Sequence, residues 1–92
     1  MAELIQQYKA LLKTPDGVEY TVQAWGERDE GTTWYGWLEF HPLDDLREVR
    51  QTDRETTQPG RRELSYWASG LEEAYFEGAF DRSQAISSSK IS

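Results

Sequence analysis

The chain is expected to fold as an α+β domain: a three-stranded antiparallel β-meander with an N-terminal and a C-terminal helix packed on one face, in the order α-β-β-β-α. Three observations predict it. Two segments alternate in hydrophobicity with the period of a strand. Two others repeat their apolar residues with the spacing of a helix, and Gly, Pro and Asp punctuate the boundaries. The 92 residues suit one domain, which surface scaling places at roughly 5,500 Å² of exposed area folded against roughly 15,500 Å² unfolded. Only 37% of the residues are hydrophobic, and four Trp, five Tyr and three Phe make up much of that share. The core is therefore expected to be small and rich in aromatic rings.

The first helix is expected over Glu3 to Lys13, where Leu4, Ile5, Tyr8, Leu11 and Leu12 fall at i, i+1, i+4, i+7 and i+8. Thr14-Pro-Asp-Gly17 ends it, because Pro15 disfavours helical geometry in the residue before it and Asp-Gly is a turn pair. From Val18 to Trp25 the pattern alternates, with Val18, Tyr20, Val22 and Ala24 on one side and Glu19, Thr21, Gln23 and Trp25 on the other. The charged segment Gly26 to Gly31 then loops into a second strand, Thr33 to His41, completing a β-hairpin. In that strand Trp34, Gly36, Leu38 and Phe40 point one way while Tyr35, Trp37, Glu39 and His41 point the other.

A third strand is expected within Leu46 to Thr57, whose Arg47, Arg50 and Arg54 mixed with Glu48, Asp53 and Glu55 suit a sheet edge. The second helix opens at Gln58 to Arg61, with Pro59 near the first helical position, and runs to Arg82. Leu64, Trp67, Ala68, Leu71, Ala74, Tyr75, Gly78 and Ala79 share its broad inner face, with Tyr66, Phe76 and Phe80 roughly opposite. Residues 1–82 make the domain. The serine-rich stretch 83–92 reads as a flexible tail.

The absence of cysteine rules out a disulfide framework or a thiolate zinc site. The start, Met-Ala-Glu-Leu-Ile, lacks a basic segment followed by an apolar run, and no stretch approaches the ~20 apolar residues of a membrane span. A cytoplasmic protein that neither crosses nor binds a membrane is the expectation. Seventeen acidic residues against ten basic ones give a net charge of −7, the wrong sign for attraction to a phosphate backbone, so nucleic acid is not an expected partner.

With large rings on both faces of one strand and few helices to cover them, Trp25, Tyr35 and Trp37 are expected to lie open on the sheet face away from the helices. Such a surface suits a homodimer or a protein partner, and the function expected is a non-enzymatic interaction or regulatory module. The alternative is a small-ligand binder or enzyme with an aromatic-lined pocket made by Trp34, His41, Trp67 and Tyr75. His41 is the sole histidine and stands two residues from Glu39, but no nucleophile accompanies the pair, so a hydrogen-bonded histidine at a strand end is expected rather than an acid–base catalyst. Asp44, Asp45, Asp53 and Glu55 follow no metal-loop spacing and read as turn and edge residues. No catalytic residue, metal or cofactor is expected.

Glu55-Thr-Thr-Gln-Pro59, Leu64-Ser-Tyr-Trp-Ala-Ser-Gly-Leu-Glu72 and Tyr75-Phe-Glu-Gly-Ala79, together with Tyr35-Gly-Trp-Leu-Glu-Phe40, resemble a family of short bacterial proteins that carries no assigned activity, cofactor or catalytic residue. The resemblance spans about half of the chain and implies a bacterial, cytoplasmic setting. In order of elements alone the chain is also similar to HicB-type antitoxins, which implies an acidic domain covering a basic protein partner. The same order occurs in double-stranded-RNA-binding domains, but those place a basic cluster at the second helix start, where only Arg61 and Arg62 stand here.

Overall fold

Strands dominate the protein, and both helices follow the sheet. The structure, a computed structural model, describes residues 1–44 and 46–86. Its elements are β1 (Glu3–Lys13), β2 (Glu19–Arg28), β3 (Trp34–Pro42), β4 (Arg50–Gln51), β5 (Thr56–Gln58), α1 (Arg61–Ser69), α2 (Glu73–Arg82) and β6 (Gln84–Ala85). They build one antiparallel six-stranded sheet in the order β1-β2-β3-β4-β6, with β5 also paired to β3.

The expected N-terminal helix is thus corrected to a strand with the same bounds. Its apolar residues mimic helical spacing because β1 does not alternate cleanly: its register against β2 shifts between Leu4 and Gln6 and again between Gln7 and Leu11. The first inserts one residue and resets the two-residue period, whereas the second inserts two and leaves it in phase. Ile5, Tyr8 and Leu12, which strict alternation would split between faces, therefore all pack against the core. Tyr8 settles the matter from the tertiary side. Its ring lies 4.6 Å from that of Phe76, and its hydroxyl donates to the Ala68 carbonyl at 2.5 Å.

The hairpins follow from their turn residues. Gly17 takes a φ of 89° after Thr14-Pro-Asp, and its N–H donates to the Thr14 carbonyl, while Gly31 takes 57° between β2 and β3. The β2–β3 register pairs Val22 with Phe40 and Ala24 with Leu38, all fully buried on the helix side. One step further Gly26 pairs with Gly36, and Leu64 of α1 fills the space above them. Leu64, Ala68, Phe76 and Ala79 close the core from the helix layer.

The expected third strand, Leu46 to Thr57, resolves into β4 and β5, which pair with opposite ends of β3. Between them Thr52 is buried: its N–H donates to the Leu38 carbonyl, and its hydroxyl accepts from the Leu38 N–H, both at 3.0 Å. The single expected helix is likewise two, broken at Gly70. The break resets the helical phase, so Phe76 turns inward and Ala74 outward, the reverse of what one continuous wheel requires. The tail expected from residue 83 onward starts too early, since Ser83 is buried and Gln84–Ala85 pair with β4. Residues 87–92 of that tail lie outside the described residues.

Candidate functional site

Because α1 and α2 share one face of the sheet, the other face is left to the odd-numbered residues of β2 and β3. The register sets these in four cross-strand pairs: Glu27 with Tyr35, Trp25 with Trp37, Gln23 with Glu39, and Thr21 with His41. Trp25, Tyr35 and Trp37 are thereby brought together. Tyr35 and Trp37 have ring centroids 5.6 Å apart, and each indole N–H is satisfied locally, Trp25 donating to Gln23 at 2.8 Å and Trp37 to Glu39 at 3.0 Å.

The three rings are not equally open. Trp37, in the middle, is only 8% exposed, whereas Trp25 and Tyr35 remain half-buried. The expectation of an open Trp37 is corrected here, because its neighbours along and across the strands shield it. Three further residues contribute from outside the β2–β3 pair. Leu4, opposite Trp25, and Leu11, opposite Thr21, are 44% and 49% exposed on β1. The Arg54 guanidinium lies 4.2 Å from the Tyr35 ring centroid and 3.7 Å from Asp29. The Tyr35 hydroxyl donates to Glu27 at 3.3 Å, and desolvation followed by that carboxylate raises its pKa above the ordinary phenol value.

Trp34, His41, Trp67 and Tyr75 do not form a pocket. His41 lies on the helix-free face, where its Nε2 is 2.9 Å from Glu39 Oε1, while Trp67 and Tyr75 meet edge to face at 6.5 Å in the helix layer. Trp34 sits at the start of β3 with the Arg61 guanidinium 5.9 Å from its ring centroid. Alternation alone separates Trp34 from His41, seven residues along the same strand. Tyr75 instead donates to Glu55 Oε1 at 2.5 Å, an oxygen that also accepts from Arg82 at 2.5 Å. Burial first, then the Glu55 hydrogen bond and charge, push the Tyr75 pKa up to about 12. Of the acidic residues considered for a metal, Asp45 lies outside the described residues. Among the described residues no three His, Asp or Glu side chains gather to hold one.

No family model, curated protein or solved structure matches the chain. The likeness in element order to double-stranded-RNA-binding domains, which start from a helix, is lost with the N-terminal helix. No helix among the described residues is long and apolar enough to cross a membrane.

Proposed function

We propose that the chain is a non-enzymatic protein-interaction module that docks a second copy of itself or a protein partner through the helix-free face of its sheet. The observation carrying this reading is the row Tyr35–Trp37–Trp25 with exposed Leu4 beside it, on a face over which neither helix lies. Aromatic rings with a polar surround are the composition of interface centres. Size supports it too. The molecule measures 41 × 33 × 18 Å, so its broad face exceeds the ~800 Å² that each partner of a standard interface buries.

Trp25→Glu tests the reading better than a change at Trp37, because Trp25 is accessible without contributing to the core. If the occupant is a second copy, sedimentation velocity shows a dimer for the wild type and a monomer for the variant, with unchanged circular dichroism. If it is another protein, a monomeric wild type captures a partner that Trp25→Glu loses. A monomer whose captured proteins are the same for both chains refutes the proposal.

A further inference from the structure

On the helix side, a groove of about 550 Å³ opens between the β1–β2 hairpin and α2, well within the size range of small-molecule sites. Its floor is apolar: Leu12, Tyr20 and Phe80, with the Tyr20 and Phe80 ring centroids 4.9 Å apart. Tyr20 is only 6% exposed, yet among the described residues its hydroxyl makes no hydrogen bond and is not sealed from solvent either. The groove it lines is where that hydroxyl finds room. A tyrosine this deeply placed ordinarily has a partner for its O–H, so the site presents one unused donor and acceptor above an aromatic floor.

The rim decides what charge fits. Arg50 is held to one side of the groove, where its Nε donates to Ser83 Oγ at 2.9 Å, its Nη2 donates to the Ser83 carbonyl at 2.6 Å, and its guanidinium lies 4.9 Å from the Phe80 ring centroid. Glu77 and Asp81, one turn apart on α2, and Asp16 in the hairpin turn have no ion-pair partner among the described residues. Lys13 and Arg50 are the cations of the lining, and neither is ion-paired among the described residues. Three carboxylates against the two cations Lys13 and Arg50, on a chain of net charge −7, favour a cation.

We propose that this groove binds a small organic cation with a flat apolar body, of the aromatic amine class. The ring lies over Leu12 and Phe80, the ammonium faces Glu77 and Asp81, and the Tyr20 hydroxyl serves a polar group on the ligand. The site is separate from the helix-free face, and its occupancy does not depend on docking there.

The test is an amide-resolved NMR titration of the full chain with 2-phenylethylamine, beside phenylacetate as a probe of similar body and opposite charge. The amine is expected to give saturable shifts over Lys13–Asp16 and Glu77–Asp81, with phenylacetate at least about tenfold weaker, a difference of ~1.4 kcal/mol. The double variant Glu77→Gln, Asp81→Asn alters only exposed carboxylates and is expected to weaken the amine several-fold while leaving circular dichroism unchanged. Tyr20→Phe, which keeps the ring, is expected to weaken tyramine, whose phenol gives that hydroxyl a partner, while leaving 2-phenylethylamine unchanged. Absence of saturable groove shifts, equal binding of the two probes, or a double variant that binds as the wild type does overturns the proposal.

Discussion

Leu64 is fully buried because two glycines make room for it. A Cβ at Gly36 would stand 2.7 Å from Leu64 Cδ1, and one at Gly26 2.3 Å from Leu64 Cδ2, so neither position accepts a side chain without displacing a core residue. Gly36→Ala is expected to destabilise the fold by about 1–3 kcal/mol through overpacking, read as a lower midpoint in urea at unchanged slope. Tyr75 offers a pH test. Its folded pKa of about 12 lies above the ordinary value of 10.0, and burial raises Tyr8 further still. The unfolded chain therefore gives up these protons first. Their stabilisation is complete below pH 10 and is lost as pH climbs through the folded values. Denaturation midpoints are expected to fall between pH 10 and 12, and Tyr75→Phe is expected to flatten that fall.

Breaks within elements shape this molecule as much as the elements do. Gly70 ends α1 with φ −96° and ψ 0°, and a Cβ there meets only ordinary contacts, 3.8 Å from the Trp67 carbonyl oxygen. Gly17 has equal space but a φ of +89°. Gly70→Ala is accordingly expected to be neutral or stabilising by about 0.4–1 kcal/mol, and Gly17→Ala destabilising by about 1 kcal/mol or more. Thermal melts of the two variants separate these outcomes. The β2–β3 hairpin, its core side and the shared face of Trp25, Tyr35 and Trp37 were legible in the sequence because strict alternation from Val18 to His41 admits one assignment of faces. β1 was not, since bulges at Ile5 and around Tyr8 give Leu4, Ile5, Tyr8, Leu11 and Leu12 a helical spacing that only contacts with Phe76 and Ala68 overrule. The groove around Tyr20 escaped for a similar reason: it joins a hairpin turn to α2, and nothing local announces which helix crosses which turn.

Taken whole, the molecule is a two-layer slab in which β2 and β3 hold the centre and stability falls away toward the short strands. Hydrogen exchange is expected to be slowest at Val22, Ala24 and Leu38, buried in the central pair, and faster in β4 and β6, each only two residues long. A uniform exchange profile would contradict that gradient. At the far margin lies β1, eleven residues long with its register twice interrupted. A straight outermost strand would offer its backbone as a template for fibril growth. The staggered one denies neighbouring molecules a continuous row of hydrogen-bonding groups, which disfavours endless stacking along this margin.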